Sequence, residues 1–245
     1  VSEAATRVPK GAEVVAARIG EHIIRHGLHD GDPLPNERQL IEQFDVARGT
    51  LREGLRILEN QGVIGMRTGR GGGPTVRRPR PDDLAGSLTL LLQFMDVPFR
   101  EVVRARQLLE PVIVGEAARH VTPRDLRWFE NNMEDQQAAA GDQAAFLQQN
   151  DAFHDRLLAL SGNAVLHVVG SSLEGITAGL DVAIDYPRPT RLRIVRAHRR
   201  IVAALAAGDP VQAAAEAAEH VAEFRRFAER NYPDLLDQPI RWVLR

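Results

Sequence analysis

The chain contains no cysteine, which excludes disulfides and thiolate metal sites and leaves nitrogen and oxygen as the only ligands for a bound metal. It also has no apolar run approaching the roughly 20 residues needed to span a bilayer. The opening stretch "VSEAATRVPKG" lacks the charged-then-apolar layout of a signal peptide. A cytoplasmic protein with no membrane partner is expected. Internal repeats and low-complexity tracts are missing too, and net charge is small, −2 over 245 residues.

That near-neutrality conceals a split. Residues 1–80 sum to +3 and residues 81–245 to −5, while the segment 48–80 alone holds eight arginines against two glutamates. A local positive patch on a mildly acidic chain points to a polyanion bound at one end. Hydrophobic residues at 44% and charged residues at 26% are ordinary globular values. The length favours two domains.

In the first part, Val14, Val15, Ile19, Ile23 and Ile24 recur at near-helical spacing before Gly27. "NERQLIEQF" then begins with Asn36 as N-cap and Gln39 three residues on, a capping-box layout. After a break at Asp45-Val46, "RGTLREGLRILENQG" sets Leu51, Leu55 and Leu58 along one face and stops at Gly62. Two short helices around a tight turn make a helix-turn-helix candidate. "VIGMR" and "PTVRR" flank a glycine cluster, the pattern of a β-hairpin.

The cluster "RTGRGGGPTVRRP" raises the alternative of a phosphate-binding loop. Such a loop needs a helix opening directly after the glycines, because the helix N-terminus supplies the amide donors. Here Pro74, two arginines and Pro79 follow, and no Gly-Lys-Ser/Thr appears. A basic hairpin beside a helix-turn-helix can instead reach phosphates or the minor groove. Arg48, Arg52 and Arg56 fall at i, i+4 and i+8 on the second helix, one row that can read guanine edges, contact phosphate, or pair with Glu53 and Glu59 in solvent.

"LPNERQLIEQFDVARGTLREGLRILENQGVIGMRTGRGGG" closely resembles the winged helix of GntR-type transcription regulators. The resemblance implies DNA contacts by Arg38, Arg48 and Arg52 on the helices and by Thr68 and Gly69 at the wing tip; Thr50 on the second helix and Arg70 in the basic hairpin complete the candidate DNA-binding residues. Ala47 stands where the family usually has a hydroxyl residue, and Gly49 where threonine is frequent.

From Leu84 to about Arg230 nearly every segment is an amphipathic helix rich in Ala and Leu. The expected fold is therefore mainly α: a winged helix-turn-helix with a small β-hairpin over 1–80, then an all-α bundle of six to seven helices over 81–245. His198 lies ten residues before Gly208 and His220 ten after Pro210. With Asp209 as N-cap and Pro210 as first helical residue, the two segments form an antiparallel hairpin. At about 1.5 Å per residue both histidines sit at one level, roughly 15 Å from the turn. His154 lies on a third helix, with Asn150 one turn before it and Asp151 three residues before it. Three imidazoles and one oxygen suit zinc, nickel or a similar divalent ion. Core or surface histidines are the alternative.

"NDAFHDRLLALSGN", "RAHRRIVAALAAGDPVQAAAEAAEHV" and "RARQLLEP" resemble the FCD ligand-binding domain that accompanies the winged helix in the FadR subfamily. Members with this pattern bind a divalent metal through an acidic residue and three histidines, and many bind small carboxylates over it. His154, His198 and His220 match; the acidic ligand falls on Asn150, a neutral amide. Arg106, four residues before Glu110, is either half of a helix-surface ion pair or, as the resemblance suggests, the effector-binding guanidinium. The implied protein is a homodimeric, metabolite-responsive regulator, most often a repressor, on a near-palindromic duplex operator. Two rivals are a metal-free regulator of the acyl-thioester-binding kind and a His-ligated metalloenzyme.

Overall fold

The computed structural model describes residues 11–69, 72–181 and 184–241. It divides into two compact units, with the boundary between Asp83 and Leu84.

The first unit holds three helices and a hairpin: α1 (Gly11–Arg25), α2 (Glu37–Phe44), α3 (Arg48–Asn60), β1 (Ile64–Arg67) and β2 (Gly73–Val76). Of the apolar residues expected on one side of α1, Val15, Ile19 and Ile23 are buried but Ile24 is 82% exposed. The cause is geometric. Successive residues on a helix diverge by about 100°, so Ile24 stands half a turn from Val15, and Val14, 44% exposed, also points away from the face that Val15, Ile19 and Ile23 bury. α2 begins with the full capping box, Asn36 Oδ1 accepting from Gln39 N and Gln39 Oε1 from Asn36 N. It ends at Asp45, whose left-handed backbone (φ 51°) makes the turn into α3. Leu40, Phe44, Leu51, Leu55 and Leu58 close over Val15, Ile19 and Ile23 to form this unit's core.

β1 and β2 pair antiparallel, Ile64 opposite Val76 and Arg67 opposite Gly73. A feature invisible in the sequence extends the hairpin. The turn-rich segment before α2 bonds to the outer edge of β2, through Leu34 N to Pro74 O, Gly31 N to Val76 O and Val76 N to Asp32 O.

Apart from an isolated bridge between Pro98 and Pro239, the regular structure described in the second unit is helical: α4 (Pro81–Phe94, which starts just before the boundary), α5 (Phe99–Ala117), α6 (Pro123–Ala138), α7 (Gln143–Ala159), α8 (Ala164–Asp181), α9 (Arg188–Ala206), α10 (Pro210–Asn231) and α11 (Pro233–Asp237). Seven are long, and the five-residue α11 is one more than expected. Asp209 caps α10 by accepting from Val211 N and Gln212 N, with Pro210 at its first position. α5 packs chiefly on α10 and α8, and α9 packs on α10 and α6. Phe129, Phe146 and Phe153, none with measurable exposure, centre the core where α6, α7 and α9 meet. No helix among the described residues is long and apolar enough to cross a membrane.

Candidate functional site

In the first unit α2 and α3 carry four arginines among four glutamates. Arg38, Arg48, Arg52 and Arg56 are all exposed. Three have acidic neighbours: Arg38 Nε donates to Glu42 Oε1 at 3.1 Å, Arg52 Nε to Glu37 Oε1 at 3.0 Å, and Arg56 NH1 to Glu53 Oε1 at 2.9 Å. Surface pairs of this kind are worth about 0–1 kcal/mol, so a phosphate or base edge can displace the carboxylate. Arg48 has no ion pair among the described residues. Thr50 is half-buried, its methyl turned toward Gly11 at the start of α1. Ala47 provides no side-chain cap to α3.

At the wing, Thr68 and Gly69 are exposed, and Arg70 lies outside the described residues. Gly69 has φ +103°, a conformation that side chains rarely adopt. Gly72 N donates to Gly69 O at 2.9 Å, and a Cβ at Gly72 would fall 2.2 Å from Arg67 O. The glycines are thus required by the turn itself.

In the second unit the three histidines converge. Their ligand nitrogens lie within 4.8 Å of one another, from α7, α9 and α10. His198 and His220 have ring centroids 4.8 Å apart. All three are buried, at 5%, 0% and 8% exposure for His154, His198 and His220.

Burial holds all three neutral. It lowers the His154 pKa to about 4, against the opposing pull of Glu110 and with help from Arg106. His198 is pushed well below the ordinary imidazole value by burial first and then by His220 and His154, and His220 by burial first and then by His154, Arg106 and Arg200.

The tautomers follow from the surroundings. Asn132 Nδ2 donates to the backbone carbonyl of Gln149 (3.1 Å), which can only accept. That orients the Asn132 amide, whose Oδ1 accepts from Gln136 Nε2 at 2.7 Å, turning Gln136 Oε1 toward His198 Nδ1 at 2.9 Å. His198 Nδ1 therefore carries the proton and Nε2 a lone pair, and this buried Nε2 has no hydrogen-bond partner. His154 Nδ1 similarly faces Glu174 Oε1 at 3.3 Å, leaving its Nε2 3.4 Å from His220 Nε2. Inward lone pairs outnumber the protons that could bridge them. Carboxylate and amide partners on the outer nitrogens are the usual support of metal-ligating histidines. Two nitrogens bound tetrahedrally at about 2.0–2.1 Å would stand about 3.4 Å apart. The three histidines fit a divalent ion.

Of the two oxygen candidates on α7, Asn150 is half-buried and Asp151 exposed. Arg106 is 7% exposed, so its bond to Glu110 is an interior one. Its Nε donates to Glu110 Oε1 (2.5 Å), NH2 to Glu174 Oε1 (2.5 Å) and NH1 to Thr177 Oγ1 (2.8 Å). Burial raises the Glu110 carboxyl and Arg106 opposes the rise. Glu174 thus joins Arg106 to His154.

Residues 101–223, half of the chain, match the FCD domain, and residues 12–72 match the bacterial regulatory proteins of the gntR family. The chain belongs to the gntR family and carries an FCD domain. The HTH-type transcriptional repressor NanR of Salmonella bongori is 27% identical over 167 residues. That match covers 67% of this chain and 63% of that protein, so the chain spans under two thirds of this relative's length. The solved structure of Streptococcus agalactiae GntR has 28% identity and a TM-score of 0.72, covering 89% of this chain and 100% of that one. Both matched families are regulatory and neither is enzymatic.

The sequence reading missed the residues that hold the FCD histidines in place. Gln136 and Asn132 sit in the polar run "ENNMEDQQ" and look like solvent-facing positions. Glu174 did leave a signal, as the one carboxylate within the otherwise uncharged, mostly apolar "AVLHVVGSSLEGITAGL"; such a residue needs a partner when buried.

Proposed function

We propose that the protein is a DNA-binding transcription regulator of the FadR subfamily, acting in the cytoplasm as a homodimeric repressor whose helical unit senses a small carboxylate at a divalent metal. The observation that carries this reading is the unpartnered Nε2 of His198 among three neutral histidines, in a chain that also bears a winged helix. His154, His198 and His220 would hold the ion, with Asn150 supplying an oxygen. When bound, the ion supplies a Lewis-acidic point that draws a carboxylate oxygen. In this reading Arg106 faces the effector, whose carboxylate takes the place of Glu110 or Glu174 on the guanidinium. Exchange of partners there alters the Glu174 contact to His154 and couples binding to helix packing.

Arg38, Arg48, Thr50, Arg52, Thr68, Gly69 and Arg70 are the proposed DNA contacts. Exposed Leu108 and Val112 on α5, with Val165, Val168 and Val169 on α8, support self-association of the helical units, which would place two recognition helices on a near-palindromic operator.

Elemental analysis and fluorescence anisotropy test the reading together. The expected result is about one zinc or nickel per chain and selective binding to a genomic fragment that a small carboxylate weakens. A metal-free protein with no preference over bulk duplex overturns it.

A further inference from the structure

A second feature of the helical unit lies on the outer side of the histidine cluster. α9 and α10 border a cleft of about 300 Å³, lined by Arg193, Arg196, Arg200, Arg226 and Arg230, with His220 among its walls. Glu223 is the one acidic residue lining it.

The arginines divide by partner. Arg200 bonds to Glu216 (2.8 Å) and Glu223 (3.0 Å), and Arg226 to Glu219 (2.6 Å), so these two tie the helices together. Arg193 and Arg230 have only neutral acceptors, the Thr190 hydroxyl at 2.9 Å and the Arg226 carbonyl at 3.1 Å. Arg196 has no hydrogen bond or ion pair among the described residues. Three guanidinium groups thus share one concavity with no carboxylate of their own.

A cleft lined by one sign of charge focuses its field and concentrates the opposite ion. Guanidinium forks match carboxylate and phosphate alike, two bonds at a time. The cleft also has a flat apolar side: Tyr186 and Phe227 stack with centroids 5.4 Å apart, and Phe224, which lines it as well, has Arg106 over its ring at 5.8 Å. Its volume lies at the lower end of the range for small-molecule sites, about 300–1,000 Å³, which suits a metabolite.

We propose that the α9–α10 cleft binds a small polyanionic metabolite, carrying two or more negative charges, whose acidic groups are held by Arg193, Arg196 and Arg230 while its inner end reaches His220. The inference rests on the reading of this unit as an effector sensor and narrows the effector class. A monocarboxylate satisfies the inner site alone; a polyanion satisfies both.

The test is calorimetric titration of the full chain at low ionic strength with citrate, pyrophosphate, glucose 6-phosphate and acetate. At least one polyanion is expected to bind saturably with Kd below about 1 mM, and acetate about tenfold or more weaker. The double variant R193Q/R196Q should lose at least about tenfold in polyanion affinity, because charge-assisted bonds are the strong ones. R225Q, which alters an arginine paired outside the cleft with Glu229, should bind as wild type. If no polyanion binds saturably, or if the double variant binds as wild type does, the inference fails. Anisotropy with operator DNA separates this from the broader reading. A polyanion that binds through Arg193 and Arg196 without changing DNA affinity keeps the site and removes the sensor. One that changes DNA affinity equally in wild type and R193Q/R196Q keeps the sensor and removes the site.

Discussion

His198 Nδ1 lies 2.9 Å from Gln136 Oε1, and this one bond decides which nitrogen of the buried imidazole faces His154 and His220. Gln136 has no measurable exposure, and its own orientation derives from a backbone carbonyl two residues further along the amide chain. The tautomer of His198 is therefore set by α6 and α7 and not by its own helix.

Gln136→Met keeps roughly the volume and deletes the acceptor. Metal affinity should fall about 10–100-fold, as when outer-shell partners are removed elsewhere. Competition against a chromophoric zinc chelator measures it, and an unchanged affinity would mean that His198 is oriented by packing on Phe153 alone.

Removal of metal should lower the melting temperature. At free zinc near 100 times Kd the bound ion contributes about 2.7 kcal/mol, which for a chain of this size corresponds to roughly 5–10 °C. Calorimetry with and without a chelator reads the difference, and His198→Gln should abolish it.

The metal-free protein should lose stability on acidification. His154 has its folded pKa lowered to about 4 from 6.5, so between those values the unfolded chain binds more protons. Its contribution is present above pH 6.5 and is lost as pH falls toward 4, amounting to about 3 kcal/mol. His198 and His220 are lowered in the same direction, while the raised Glu110 carboxyl works in the opposite sense. Urea midpoints at pH 7.5 and 5 test this, and His154→Gln should flatten the slope.

Arg52→Ala should weaken specific operator binding by about 1–3 kcal/mol if the side chain reads a base. In the free protein Arg52 is held by Glu37, so Glu37→Gln should strengthen binding modestly. An equal loss for Arg52→Ala on random duplex would assign the residue to phosphate.

Gly72→Ala should disrupt the wing, since the added methyl falls on Arg67 O. The expected outcome is DNA binding weakened at least about tenfold through lost wing contacts, with zinc affinity unchanged. Full DNA affinity in this variant would exclude the wing from the interface.

Several features were legible in the residues themselves. The capping box at Asn36, the hairpin around the glycines and the equal offsets of His198 and His220 from their turn are local patterns, and local geometry reproduces them. The spacing of Val14, Val15, Ile19, Ile23 and Ile24 marked a helix but not its inner face, because periodicity alone does not say which of two adjacent apolar residues turns inward; Val14 and Ile24 turn outward. The burial of Arg106 and Glu110 was equally hidden: an i, i+4 ion pair looks the same on a surface helix as on one enclosed by α8 and α10.

By itself the order of residues determined the capped starts of α2 and α10, that an arginine-rich head precedes a helical body, and which histidines share a level across the α9–α10 turn. Those properties depend on neighbours within a few positions and on the fixed rise of a helix. Only the tertiary structure decided that Gln136 and Glu174 orient the imidazoles, that Arg106 is neutralised inside the bundle, and that three arginines without carboxylates border one cleft. Each of these depends on which helix faces join across long stretches of chain, and burial then turns ordinary polar side chains into groups whose partners must be found.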